Sequence, residues 1–286
     1  MIRPLKGLSE LAGRYDAVLS DVWGVIHNGR EAFPGPCAAL ARWRESVGPV
    51  MLISNSPRPS PEVALQLDGL GVPRAAWSAM VTSGDVTRTL LAARAPGPVY
   101  AIGPERVAPL YTGLGLAFTS LAEAAFISCT GPVNDDVETP EDYRALLTEA
   151  AARRLPMICA NPDKVVQHGD RLIYCGGALA DLYATLGGEV IMAGKPFAPI
   201  YAASLAEAAT LAGAPVGPDR VLAIGDGVAT DARGANAQGI DLLFVAGGIH
   251  DAEITDAAGA LDPAAAEALL ARSGAHAAYG MTALAW

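Results

Sequence analysis

The chain has 286 residues, 51% of them apolar and 17% charged. That is enough apolar material for buried cores and excludes a disordered or fibrous chain. Against 30 Asp and Glu stand 20 Lys and Arg, a formal charge of −10, which disfavours binding along a nucleic-acid backbone or on an anionic membrane.

Residues 15–21 form a short apolar run ending in Asp21, the pattern of a buried parallel strand. Residues 24–36 read as a loop, closed by Pro34-Gly35-Pro36. A helix is predicted over 37–47, with Leu40, Trp43 and Val47 on one side, and a second strand over 50–54. A proline-rich turn at 57–61 leads into a helix ending near Leu70. A third strand at 79–82 and a helix from about Asp85 complete a strand–helix alternation, which implies parallel strands joined by right-handed crossovers.

The stretch Ala95-Pro96-Gly97-Pro98 breaks the pattern, which restarts at 99–102. Further strands are expected at 125–129 and 157–160, with a helix at 141–154 between them. Residues 221–226 are again an apolar strand ending in a carboxylate, and 242–245 make another strand. Asp262 and Pro263 read as an N-cap followed by proline at the first helical position, with Gly274 closing that helix. No apolar run approaches the roughly 18 residues of a spanning helix, and Arg3 and Lys6 are followed by Glu10 rather than a signal-like stretch. The cysteines, Cys37, Cys129, Cys159 and Cys175, are scattered without zinc spacing and read as reduced, buried side chains. A cytoplasmic protein is expected.

Two strands far apart in sequence thus end in carboxylates, Asp21 and Asp226. Ligands of open parallel sheets bind beyond the carboxyl ends of the strands. Two aspartates side by side there suit Mg²⁺, which takes one or two carboxylates, waters and a phosphate oxygen. Taken singly, each could merely cap the turn that follows. Ser54 also ends a strand and precedes Asn55, where hydroxyl and amides could hold a phosphate, although Ser-Asn-Ser before Pro57 is ordinary turn chemistry too. The chain has three lysines, Lys6, Lys164 and Lys195. Lys195 lies in Gly194-Lys195-Pro196, a stiff turn where a solvated lysine has no special reason to occur.

Asp21-Val22-Trp23-Gly24-Val25, Ser54-Asn55, Gly194-Lys195-Pro196 and the run from Gly225-Asp226 to Thr230-Asp231 resemble, in order, the four motifs of the haloacid dehalogenase superfamily. The gap of roughly 140 residues between Ser54 and Lys195, Asn161-Pro162-Asp163 inside it, and Gly247-Gly248-Ile249-His250 resemble the NagD-like branch, which inserts a large α/β cap in that gap. The resemblance implies a doubly wound, Rossmann-like parallel-sheet core from residues 1–85 and 192–286, with a cap over 86–191. It implies a Mg²⁺-dependent phosphatase working through an aspartyl-phosphate. On this reading Asp21 is the nucleophile and a metal ligand, and Asp226 is the second carboxylate ligand. Trp23 ligates through its backbone carbonyl, and Asp231 supports the metal shell or Lys195. Ser54 bonds a phosphoryl oxygen, while Lys195 offsets charge on Asp21 and the transferring group. Asn55, Asn161 and Asp163 meet the substrate, the last two from the cap near the leaving group; a plain Asx–Pro turn is the bland reading of that tripeptide. The implied partner is a small phosphorylated metabolite, such as a sugar phosphate, a nucleotide or pyridoxal phosphate. No nucleic acid or membrane partner is expected, and there is room for a homodimer through the cap.

Phosphatases of the superfamily usually read Asp-x-Asp, the second Asp protonating the leaving oxygen and then activating water. Here that position is Trp23, whose indole N–H has no useful acidity. General acid–base catalysis is worth about 10²–10⁴-fold, so alkyl phosphates should be poor substrates. His27 could supply the proton from the flap loop, a solvent-facing histidine being the plainer reading. Trp23 also opens an alternative, a weakly active or inactive sensor or scaffold that binds a phosphorylated ligand. A different doubly wound nucleotide-binding protein is disfavoured, because neither GxGxxG after a strand nor GxxxxGK[ST] occurs.

Overall fold

The apolar runs become short strands, seen in a computed structural model that describes residues 1–168, 171–247, 251–256 and 259–286. In chain order the strands are β1 (Arg3–Pro4), β2 (Ala17–Ser20), β3 (Val50–Ser54), β4 (Ala79–Thr82), β5 (Val99–Ile102), β6 (Phe126–Cys129) and β7 (Met157–Cys159). They continue with β8 (Val165–His168), β9 (Arg171–Tyr174), β10 (Val190–Met192), β11 (Val221–Gly225), β12 (Asp241–Val245) and β13 (Tyr279–Met281). The helices are α1 (Pro34–Ser46), α2 (Ser60–Gly69), α3 (Ser83–Ala92), α4 (Arg144–Ala152) and α5 (Gly176–Thr185). After them come α6 (Ala198–Ala212), α7 (Arg233–Ala237), α8 (Asp251–Ile254) and α9 (Pro263–Arg272). The residues form two compact units, Met1–Ser54 with Ala64–Val81 and Lys195–Trp286, and Asn55–Val63 with Thr82–Gly194.

The first unit is built on a sheet in the order β1-β13-β12-β11-β2-β3-β4. The pairings from β1 through β3 are parallel. β2 and β11 are buried along their whole length, which explains why they read as continuous apolar runs rather than alternating ones: both faces are covered. From β2 the chain winds outward to β3 and β4 on one side and, later, to β11, β12 and β13 on the other. The crevice at that reversal is where such sheets bind ligands. α1 begins with proline in its first turn and buries Leu40 and Trp43, so the predicted helix starts three residues early. Asp262 caps α9, accepting from the N–H groups of Ala264 and Ala265 at 2.9 and 3.1 Å.

The second unit holds a four-stranded parallel sheet, β10-β7-β6-β5, and the antiparallel pair β8–β9. Ile127, Leu147, Met157 and Tyr183 pack in one cluster, and Leu91, Val99, Phe126 and Ile158 in another. Neighbouring residues of β6 and β7 join different clusters because successive side chains of a strand point to opposite faces. α3 starts at Ser83 rather than Asp85. Asp85 is the third residue of a capping box in which Thr82 Oγ1 accepts from Asp85 N–H at 3.0 Å and Thr82 N–H donates to Asp85 Oδ2 at 2.9 Å. The helix predicted over 141–154 is a 3₁₀ turn at Pro140–Tyr143 followed by α4.

The parallel-sheet α/β class expected from the sequence is the class found. The four cysteines are buried and unpaired. Among the described residues, no helix is long and apolar enough to cross a membrane.

Candidate active site

The parallel pairing of β2 with β11 sets Ser20 level with Ile224, and the Asp21 N–H donates to the Ile224 carbonyl at 2.8 Å. Two strands with no sequence proximity therefore deliver Asp21 and Asp226 to the same carboxyl end of the sheet. The chain then turns through Gly24, at φ +81°, where a Cβ would lie 2.4 Å from Asp226 Oδ2. Glycine is needed there for both the left-handed backbone and the close approach. Val22 N–H donates to Asp21 Oδ1 at 2.7 Å and orients that carboxylate.

Lys195 is 2% exposed, and its Nζ lies 2.7 Å from Asp21 Oδ1 and 2.7 Å from Asp231 Oδ1. Asp231 sits on a single π-helical turn, Val228–Ala232, and its other oxygen accepts the Gly227 N–H at 3.0 Å. Gly225 gives it room, since a Cβ there would come 2.3 Å from Asp231 Cγ. Carboxylate oxygens of Asp21, Asp226 and Asp231 lie within 4.8 Å of one another.

Burial pushes the Asp21 carboxyl well above the usual range, and repulsion from Asp231 and Asp226 adds to it against the pull of Lys195. Burial alone would depress the Lys195 ammonium, but Asp21 and Asp231 outweigh it and the net shift is upward. Both shifts have one meaning: three carboxylates against one ammonium make a cluster that favours further positive charge. A hard divalent cation fits that donor set. Tyr201 of α6, 2% exposed, completes the surroundings, its phenol raised by burial and then by Asp231. No spacing in the sequence marks it, because it reaches the site only through the packing of α6 beside Gly234.

Ser54 ends β3, on the other side of β2. Trp23 is 42% exposed, its ring edge-on to His27 with centroids 5.2 Å apart. Gly29 lies against the indole, where a Cβ would meet Cη2 at 2.2 Å. The expectation that His27 faces solvent is corrected: it is 3% exposed, and its Nδ1 accepts the Gly29 N–H at 2.8 Å. Burial lowers its pKa to about 4, so it is a neutral imidazole at ordinary pH.

In the second unit, Asn55 Nδ2 donates to Asp163 Oδ1 at 2.9 Å, and Asp163 N–H donates to Asn161 Oδ1 at 3.1 Å. The three residues expected to meet substrate thus form one hydrogen-bonded group, and the Asn161 bond is the Asx turn of the bland reading. Gly194 presses on them, since a Cβ there would stand 2.4 Å from Asn55 Oδ1. Of the Gly247–His250 stretch, Gly248, Ile249 and His250 lie outside the described residues.

Carboxylates and a buried lysine at the switch point of a parallel sheet define a doubly wound α/β protein whose acidic cluster could hold a cation. The comparisons narrow that class. Residues 18–117 match the haloacid dehalogenase-like hydrolase model and residues 192–276 a second, HAD-hydrolase-like model. A solved haloacid dehalogenase-like hydrolase from Brucella suis 1330 is 45% identical with a TM-score of 0.86, covering 98% of this chain and 99% of its own. Rattus norvegicus chronophin is 26% identical over 261 residues, 86% of this chain and 81% of that protein. The D-glycerol 3-phosphate phosphatase of Mycobacterium tuberculosis is 28% identical over 254 residues, 86% of this chain and 67% of that enzyme. The chain belongs to the haloacid dehalogenase-like hydrolase family.

Proposed function

We propose that this hydrolase is a Mg²⁺-dependent phosphatase of a small phosphorylated metabolite. The observation that carries the reading is Lys195, buried and paired with both Asp21 and Asp231 beside Asp226. One relative, the D-glycerol 3-phosphate phosphatase, is a phosphatase by name. Asp21, Asp226 and the Trp23 carbonyl would hold the metal, with Asp231 supporting them. When bound, the ion supplies charge neutralisation at the phosphoryl oxygens.

In the first half-reaction an Asp21 carboxylate oxygen attacks phosphorus, the bond to the leaving oxygen breaks, and an aspartyl-phosphate forms. Lys195 keeps Asp21 anionic and oriented, while Ser54 donates to a phosphoryl oxygen. Water then attacks phosphorus, releasing phosphate and restoring Asp21. Asn55, Asn161 and Asp163 select the leaving group. Trp23 brings no acid to the leaving oxygen and no base to the water, so esters of poor leaving groups should turn over slowly. His27, neutral and buried, does not restore that acid. Trp23 also favours the second reading, a member of the family that binds a phosphorylated ligand with little or no turnover.

Buried unpaired thiols fit a reducing compartment, and we assign the protein to the cytoplasm; a homodimer through the inserted unit belongs to the same reading. The test is metal-dependent hydrolysis of 4-nitrophenyl phosphate by the natural chain and by Asp21→Asn. Turnover should vanish in the variant, because an amide is no anionic nucleophile. Turnover retained in pure Asp21→Asn would remove the nucleophile assignment, and none in the natural chain would favour the binding reading.

A further inference from the structure

The turn that follows Asp21 is closed on itself. The Gly24 N–H donates to the His27 carbonyl at 2.9 Å and the Ile26 N–H to the Val22 carbonyl at 3.0 Å. Its aliphatic side chains, Val22, Val25 and Ile26, are buried, whereas the Trp23 indole stands in solvent. That indole is held from two sides. The Gly29 backbone lies against the outer edge of its six-membered ring, where a Cβ would come 2.2 Å from Cη2 and 2.9 Å from Cζ2 and Cζ3. The buried His27 imidazole meets it at an interplanar angle of 74°. The Gly29 N–H donates to His27 Nδ1 at 2.8 Å, so the two supports are bonded to each other.

The indole stands two residues beyond Asp21, and the next residue, Gly24, runs against the Asp226 carboxylate. All of these residues belong to the first compact unit. The side-chain acceptors beside the indole are already used. His27 Nδ1 takes the Gly29 N–H, and Asn28 Oδ1 takes those of Arg30 and Glu31 at 2.9 and 3.0 Å. A polyol hydroxyl therefore finds no free acceptor on either side chain. A flat ring gains dispersion and the quadrupole attraction of an aromatic pair, and a fixed indole loses little freedom in receiving it.

We infer that the Trp23 indole is a specificity-determining surface, on which a planar ring of the substrate's leaving group stacks. The inference rests on the phosphatase reading, because attack by Asp21 is what places a leaving group beside this turn. It narrows the substrate class to phosphate esters that carry a flat aromatic ring, away from sugar and polyol phosphates.

The test compares benzyl phosphate with cyclohexylmethyl phosphate. Both are esters of unactivated primary alcohols, so the pair differs chiefly in ring planarity. With Mg²⁺ the full chain should favour the benzyl ester by about 3- to 10-fold in kcat/KM, the worth of one aromatic pair. A merely apolar surface would instead favour the more apolar cyclohexyl ester. In Trp23→Leu the preference should fall to one or below, and in Trp23→Phe part of it should return. Gly29→Ala, which drives a Cβ into the indole and leaves residue 23 unchanged, should lower it too. Ligand-observed NMR with phenethylphosphonate and 2-cyclohexylethylphosphonate, uncleavable analogues of the two esters, reads the same order without turnover. A ratio near or below one in the natural protein, or one that survives Trp23→Leu, would overturn the inference while leaving Asp21-dependent hydrolysis standing. Should circular dichroism show Trp23→Leu unfolded, the Trp23→Phe and Gly29→Ala ratios decide in its place. Were neither ester hydrolysed, the phosphatase reading would fail, and the phosphonate affinities of the natural and Trp23→Leu chains would decide the indole by themselves. No binding of either phosphonate would overturn it as well.

Discussion

Replacing Lys195 by Met keeps an unbranched side chain of similar length and deletes one charge. Nζ stands 2.7 Å from oxygens of both Asp21 and Asp231 in a side chain only 2% exposed. At an effective dielectric near 20, each contact represents about 6 kcal/mol of attraction before desolvation. Desolvation cancels much of that, and removing one partner of a buried pair costs about 3–5 kcal/mol net. The loss depends on pH. Without the ammonium, Asp21, already raised on folding, rises further. The folded form then binds more protons than the unfolded one between the two pKa values, so stability falls as pH rises through that window. The variant should therefore lie nearer the natural protein at pH 5 than at pH 8. Urea unfolding followed by circular dichroism, without metal, reads this directly. With a slope of about 2 kcal/mol/M, a 4 kcal/mol loss moves the midpoint down by about 2 M at pH 8. Mg²⁺ should restore part of it. An unchanged midpoint at pH 8 would refute the reasoning, because Lys195 would then not be what neutralises the carboxylates.

Gly24→Ala places a Cβ 2.4 Å from Asp226 Oδ2 at φ +81°, so it should displace that carboxylate and raise the Mg²⁺ concentration for half-maximal rate about tenfold; an unchanged Mg²⁺ titration would show that Asp226 does not ligate. His27, lowered to about 4 by burial, stays neutral in the fold while the unfolded chain protonates near 6.5. Stability is thus full above pH 6.5 and declines toward pH 4, by about 3 kcal/mol. His27→Gln should remove that component of the pH–stability curve and leave the pH–rate profile above pH 5 unshifted; equal acid slopes in the two chains would disprove it. Trp23→Asp should raise turnover of alkyl phosphates by about 10²-fold or more and that of nitrophenyl phosphate much less, because nitrophenolate departs without protonation. Equal gains on both, measured as kcat/KM, would place the defect elsewhere.

Much of the fold was legible because buried parallel strands leave unbroken apolar runs, and β2, β3 and β11 are covered on both faces. Short elements left no such trace. β1 has two residues and β13 three, too few for any period. α6 is so rich in alanine that its apolar and polar faces barely differ. The antiparallel pair β8–β9 was missed because Gln167, His168 and Arg171 interrupt its apolar residues and leave no unbroken run.

The sequence by itself marked the candidate site residues. Asp21, Asp226 and Lys195 stand out because a carboxylate ending an apolar strand, or a rare lysine in a stiff turn, is locally improbable. Only the tertiary structure decided how they combine. Parallel register places Asp21 beside Asp226, and Lys195 reaches both Asp21 and Asp231 across long sequence separations. It also decided that His27 is buried and neutral and stands edge-on to the Trp23 indole. The reason is physical. Strand and turn preferences act over a few neighbouring residues, whereas charge balance and burial depend on what the whole chain brings within a few ångströms.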